Sequence, residues 1–153
     1  MYSSVLVALD GSEPAAAAIP YALEMAQAFA ARLILLRVLL HDTAFGALSA
    51  EPGPLSLARR EYDARRSQAE GYLESLKRSL GTKGVPVECL IRDGEPAATI
   101  LETAGSLGQS LIVITAYGKM ASLTRGGLGS VAKDVLREAN GPVLLVRLCS
   151  NFE

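Results

Sequence analysis

Val5-Leu6-Val7-Ala8-Leu9-Asp10-Gly11-Ser12 decides how the chain is read. An unbroken apolar run from Val5 to Leu9 has strand length and no polar face, so the strand it forms is covered on both sides. Asp10-Gly11 ends the run, and Ser12 is a good N-cap for a helix whose first turn holds Glu13 and Pro14. Ile19, Ala22, Leu23, Ala26 and Ala30 then recur at three- and four-residue intervals, the mark of an amphipathic helix. Pro20 falls inside that pattern without an N–H to donate and is expected to bend the helix.

The same unit repeats outward from there. Leu33–Leu40 is a second apolar strand, and His41 to Leu55 is a long aperiodic loop carrying Gly46, Pro52, Gly53 and Pro54. A loop of that length in a small domain is expected to be functional or poorly ordered. A helix resumes from about Leu57 to Leu80, with Ala69, Tyr72, Leu73, Leu76 and Leu80 on one face. Arg59, Arg60, Arg65 and Arg66 lie early in it among Glu61, Asp63 and Glu70, which reads as a solvated, salt-bridged face rather than a phosphate patch. Val85–Ile91 is the third strand, and Asp93-Gly94-Glu95-Pro96 turns into a helix with Ala97, Ile100, Leu101, Ala104 and Leu107 inward. Leu111–Ile114 is the fourth strand, Ser130 opens a short helix, and Val143–Val146 after Gly141-Pro142 is the last strand. Apolar strands alternating with helices predict one domain over residues 1–153, an open, doubly wound α/β fold. Its sheet is five-stranded and parallel, with helices on both faces.

Composition narrows the function. The chain has 153 residues, half of them apolar, with 15 Lys+Arg against 16 Asp+Glu. That length suits a single domain that needs no disulfide or metal to fold. A net charge of −1 argues against a nucleic-acid partner. No apolar run reaches the ~18 residues of a spanning helix, and no charged leader or cleavage site precedes Val5, so a soluble cytoplasmic protein is expected. Cys89 and Cys149 make neither a disulfide framework nor a metal pattern, and a single histidine, His41, leaves little room for Ser-His-Asp chemistry.

In open α/β sheets ligands bind beyond the carboxyl ends of the strands. The fourth strand ends in Thr115-Ala116-Tyr117-Gly118 and leads through Lys119 and Arg125-Gly126-Gly127 to Gly129-Ser130, where a helix begins. Glycines there would let backbone N–H groups and the helix start cradle a phosphate, with Ser130, Lys119 or Arg125 adding a hydroxyl or a charge. The same glycines would equally serve a tight connection. The stretch is neither a Walker A loop nor a G-x-G-x-x-G turn. Asp10, at the end of the first strand, would either orient a ribose or metal-bound phosphate, or complement the helix dipole and fix its own turn.

Three stretches together, "VLVALDGS", "RDGEPAATIL" and "IVITAYGKMASLTRGGLGSVAKDVLREANGPVLLVR", resemble the universal stress protein family over essentially the whole chain. The resemblance implies a Rossmann-like fold of the adenine nucleotide alpha hydrolase type. The ATP-binding branch of that family carries G-x2-G-x9-G-[S/T], and the matching positions here are Thr115, Gly118, Gly129 and Ser130. Thr115 replaces the first glycine, and ten residues rather than nine separate Gly118 from Gly129. The resemblance implies that adenine meets backbone groups near Ala8 and Val38 and that Asp10 lies beside ribose and phosphates. Gly118, Lys119, Gly129, Ser130 and Val131 would hold the phosphates of ATP, ADP or AMP. Mg2+ would be held mainly by those phosphates, with Asp10 as its protein neighbour. It also implies a homodimer joined through Val143–Val146. A regulatory, at most slowly hydrolysing nucleotide binder is the expected function. The departures leave open a non-nucleotide dimerisation or interaction module, and an adenylate-forming enzyme lacks its catalytic signature.

Overall fold

The computed structural model describes residues 1–40, 54–118 and 127–148. The expectations that fall on 41–53, Lys119, Arg125, Gly126 and Cys149 lie outside the described residues.

The elements in chain order are β1 (Ser4–Leu9), α1 (Glu13–Ala16), α2 (Ile19–Phe29), β2 (Arg32–Leu39) and α3 (Pro54–Leu80). A 3-10 turn at Gly81–Lys83 leads to β3 (Val87–Asp93), followed by α4 (Pro96–Ser106), β4 (Ser110–Thr115), α5 (Ser130–Glu138) and β5 (Val143–Val146). All strand pairs are parallel, in the order β3-β2-β1-β4-β5. The doubly wound α/β architecture is therefore as expected, and the order reverses between β1 and β4.

Strand alternation divides the core into two layers. Val5, Val7 and Leu9 of β1 join Leu33 and Leu35 of β2 under α2 and α3, against Ala18, Ile19, Ala22, Ala26 and Leu73. Leu6 of β1 and Ile34 and Leu36 of β2 face the other way, onto Ala97, Ile100 and Ala104 of α4 and Ala132 and Val135 of α5. Small residues dominate the inward faces of α2 and α4, which lets both helices lie close against the sheet.

Strand ends shift by one or two residues from the sequence reading, β2 running Arg32–Leu39 and β3 reaching Asp93, and three element starts differ for identifiable reasons. The first helix is not one bent helix but two, because α1 stops at Ala16 and Ala18 N–H turns back to Ala15 O at 3.2 Å. A continuous helix would leave the Ala16 carbonyl facing Pro20, which has no N–H; the chain instead restarts and places Pro20 in the first turn of α2. The long helix begins at Pro54, not Leu57. The third strand starts at Val87, two residues later than expected, because Pro86 contributes only its carbonyl, accepting Leu33 N–H at 2.8 Å. The basic stretch of α3 is a solvated face: Arg59, Arg60 and Arg65 are exposed, and Arg66 pairs with Glu70 at 3.3 Å.

Cys89 on β3 is half-buried, and its thiol reaches Leu73 O at 3.5 Å. Burial, reinforced by Glu74, pushes the thiol pKa up, so little thiolate exists at neutral pH. In a Cys149→Ser background, iodoacetamide at pH 7.5 is expected to alkylate Cys89 at least several-fold more slowly than a cysteine in an unstructured peptide. Peptide-like alkylation by mass spectrometry would show that the burial argument is wrong.

Candidate nucleotide site at the strand ends

Register sets the shape of the sheet's carboxyl edge. β1 ends at Leu9, opposite Arg37 of β2. Val7 lies level with Val113, so two residues on, Leu9 lies level with Thr115, which in turn pairs with Val146. β1, β4 and β5 thus stop at one height, while β2 and β3 run two residues further to Leu39 and Asp93. The result is a step in the sheet edge about 7 Å high, given the rise per strand residue. Val38 lies in the wall of that step, just past the end of the β1 ladder. Leu39 O accepts Gly94 N–H at 2.9 Å on the β3 side, and alternation turns the Val38 carbonyl to the side that β1 has vacated. Ala8 and Val38 are both half-buried on the α4–α5 face.

Asp10 stands on the floor of the step, and its two carboxylate oxygens have different tasks. Oδ1 accepts Ser12 N–H at 2.9 Å and, through a short bond, the Ser12 hydroxyl. Ser12 Oγ in turn caps Ala15 N–H at 3.3 Å. Oδ2 is turned toward Gly118: a Cβ built there would lie 2.6 Å from it. The turn-fixing reading of Asp10 is realised on Oδ1, while Oδ2 faces Gly118 across the ends of β1 and β4. Gly118 is required by space rather than by backbone conformation, since any side chain would push Asp10 aside.

The base of the loop after β4 is pinned. Ala116 N–H donates to Val146 O at 2.9 Å, and Ala116 O accepts Gly129 N–H at 2.8 Å. A Cβ on Gly129 would meet that same carbonyl at 3.3 Å. The buried Thr115 hydroxyl donates to Tyr117 O at 2.6 Å, so its proton closes the turn instead of pointing at a ligand. Gly129 is the N-cap of α5 and offers no side-chain cap; the first intrahelical bond seen there is Lys133 N–H to Gly129 O at 3.0 Å. The N–H groups of Ser130, Val131 and Ala132 are thus the orphan donors of the first turn. Ser130 is exposed and Val131 half-buried.

The structure brings Ala8, Asp10, Val38, Thr115, Gly118, Gly129, Ser130 and Val131 to one edge of the sheet; Lys119 lies outside the described residues. Sequence reasoning placed Arg37 at the end of the second strand and Tyr72 on an inward helix face but gave neither a role at the site. Arg37 approaches Gly11, whose φ of +82° only glycine adopts readily, with Nη1 and Nη2 each 3.3 Å from where a Cβ would stand. Burial raises the Tyr72 pKa; the Arg37 charge opposes that shift and Asp10 adds to it, which places the three groups in one electrostatic neighbourhood. The only signal was a charged residue inside an otherwise apolar strand.

Among the described residues, no group of three or more His, Cys, Asp or Glu side chains forms a metal cluster, and no helix is long and apolar enough to cross a membrane. A concavity of about 380 Å³ lies at the opposite, amino end of the strands, lined by Met1, Tyr2, Gln109, Ser110, Glu138 and Pro142 among others. Ligands of doubly wound sheets bind at the carboxyl end, so the step is the candidate site.

Comparison with known proteins bears on the family and the fold. Universal stress protein YxiE of Bacillus subtilis is 35% identical over 151 residues, covering 96% of this chain and all of the relative. The solved universal stress protein UspA of Lactobacillus plantarum superposes with a TM-score of 0.79 at 29% identity, over 95% of this chain and 98% of that one. A universal stress protein of Archaeoglobus fulgidus, solved in complex with dAMP, shares the fold with a TM-score of 0.63 at 20% identity, over 95% of this chain and 97% of that one. The universal stress protein family model matches residues 1–147, and with the relatives' identity and the shared fold in agreement, the chain belongs to the universal stress protein family.

Proposed function

We propose that this chain is a cytoplasmic, adenine-nucleotide-binding regulatory protein that takes ATP (or ADP or AMP) across the step in its sheet edge. The observation that carries this reading is the uncapped amino end of α5 beside Asp10 and Gly118. Three unpaired N–H groups and the positive end of the helix dipole favour phosphate there, with the Ser130 hydroxyl as a further donor. At the other end of the step, the Val38 carbonyl faces the vacated β1 side. It is an acceptor for the 6-amino group of adenine and a poor partner for the 6-carbonyl of guanine. The ribose then falls over the end of β1, beside Asp10. Mg2+ would be held mainly by the phosphates, keeping several waters, with Asp10 as the acidic side chain at the site. The dAMP complex of a relative with this fold is consistent with the reading.

Phosphoryl transfer needs a positioned nucleophile, and Asp10 has one oxygen engaged with Ser12, so turnover is slow at most. Pairing through β5, whose residues Val143, Leu144 and Leu145 are only half-buried, would give a homodimer and cover an exposed edge.

A second reading, a dimerisation module without nucleotide, is favoured by the Thr115 hydroxyl bond that closes the turn. Thermal unfolding separates the two. A ligand at about 100 times its Kd adds ~2.7 kcal/mol, which raises the Tm of a domain this size by roughly 5–10 °C. Mg-ATP is expected to give that shift and Mg-GTP a much smaller one. Protein stripped of co-purified ligand that shifts with neither would be the module.

A further inference from the structure

Arg37 is not accounted for by the binding of a simple 5′-nucleotide. It stands level with the last residue of β1, on the face covered by α1, α2 and α3. Its Nε is buried and has no hydrogen-bond partner, an arrangement that is unfavourable unless something answers it. Among the described residues no ion pair involves Arg37. Asp10, which shares the neighbourhood of Tyr72 with Arg37, turns one oxygen to Ser12 and the other toward Gly118 on the β4 side. The guanidinium fork nevertheless reaches Gly11, which is exposed at the mouth of the step. A cation with its Nε buried and its fork at the opening is thus held on the β2 flank of the β1 turn, with no ion pair to a carboxylate among the described residues.

Its position relative to a bound nucleotide follows from the sheet. With phosphates at the amino end of α5 beyond β4 and the base at Val38 on β2, two strand spacings of about 10 Å separate the ends of the ligand. The ribose lies between them, over β1, where Asp10 flanks it on the β4 side and Arg37 on the β2 side. In dinucleotide-binding sheets, whose phosphates sit on the first strand's turn, an acid accepts a free ribose hydroxyl and an arginine accommodates a ribose phosphate. The phosphates are placed elsewhere here, but an arginine fork beside a ribose suits the same kind of ester phosphate. We infer that Arg37 forms an anion subsite for a phosphate ester on a secondary hydroxyl of the ribose, so that the site prefers 2′- or 3′-phosphorylated adenosine 5′-phosphates over nucleotides phosphorylated at the 5′ position alone.

This rests on the adenine-nucleotide reading, and calorimetry of the full chain distinguishes the two. ADP, adenosine 2′,5′-bisphosphate and adenosine 3′,5′-bisphosphate each carry two phosphates; the two bisphosphates match in charge and carry about one unit more than ADP. The difference between the two bisphosphates, and the change of the bisphosphate-to-ADP ratio in Arg37→Gln, therefore separate a specific contact from total charge. One of the bisphosphates is expected to bind about tenfold or more tightly than ADP, the gain from a charge-assisted, two-pronged contact. The bisphosphate that binds identifies which hydroxyl is read. In Arg37→Gln the bisphosphate-to-ADP ratio is expected to fall to near one, and in Arg37→Lys to be recovered in part, with circular dichroism confirming that both variants fold. Should Arg37→Gln not fold, the wild-type ratio and the Arg37→Lys ratio carry the test. ADP binding with no bisphosphate preference, or a preference that survives in Arg37→Gln, overturns the subsite alone. Failure of every adenine nucleotide to bind overturns the subsite and the proposed function together.

Discussion

Gly129→Val is expected to lower affinity for Mg-ATP by roughly 100-fold or more while leaving the protein folded. A Cβ at this position would already lie 3.3 Å from the Ala116 carbonyl, and the branched methyls of valine crowd the same group. That carbonyl is held by the Gly129 N–H at 2.8 Å, so it has nowhere to move without releasing the start of α5. A shift of a few tenths of an ångström or more there misdirects the N–H groups of Ser130 and Val131 together. Each charge-assisted bond is worth about 1.5–3 kcal/mol, so losing two accounts for the expected factor. Overpacking at the exposed edge of the sheet costs only about 1–3 kcal/mol of stability. Calorimetry with Mg-ATP, paired with thermal melts of the free variant, measures both numbers. Asp10→Ala provides the scale: it removes one flank of the site but leaves the helix donors in place, and is expected to weaken binding less. Normal ATP binding by folded Gly129→Val would remove the α5 amino end from the site.

The largest stability effect is expected from Leu35→Ala. Leu35 is fully buried at the middle of β2, between β1 and β3, in the layer closed by α2 and α3. Neighbours such as Leu73 on α3 and Val7 on β1 belong to elements tied down elsewhere, so the cavity has little freedom to collapse. Large-to-small changes of this kind cost about 2–5 kcal/mol, which for a domain of this size lowers Tm by roughly 10 °C. Leu57→Ala, at a site 61% exposed on α3, is the control and should change stability by less than about 0.5 kcal/mol. Urea unfolding gives both values. Equal effects of the two substitutions would mean that the layer under α3 is not the packed core described here.

Local chemistry made much of the architecture readable from the residues alone. Runs such as Val5–Leu9 and Leu111–Ile114 have no polar face, and helices with period 3.6 separate them, so a parallel sheet covered on both sides was implied before any contact was known. Ser12 and Ser130 marked helix starts because such signals depend on neighbours three or four residues away, the structure placing Gly129 as the cap before Ser130. Pro20 marked an interruption for the same reason, although a missing N–H says that a helix is disturbed without saying whether it bends or restarts.

Strand order is a different kind of fact. The alternation of strands and helices is compatible with several orders, and packing of side chains far apart in sequence selects β3-β2-β1-β4-β5. Only that order sets β1 beside β4 and brings Asp10 against Gly118, 108 positions along the chain. Only the register recesses β1 below β2, exposing the Val38 carbonyl and setting Arg37 at the mouth of the step. Read in sequence, Arg37 was one charge in an apolar strand. Its chemistry comes from the exposed Gly11 it reaches and from an Asp10 turned the other way, and no local pattern encodes either. The chain's own periodicities and caps determined the elements and their class; the long-range packing of the sheet decided which residues meet at its edge.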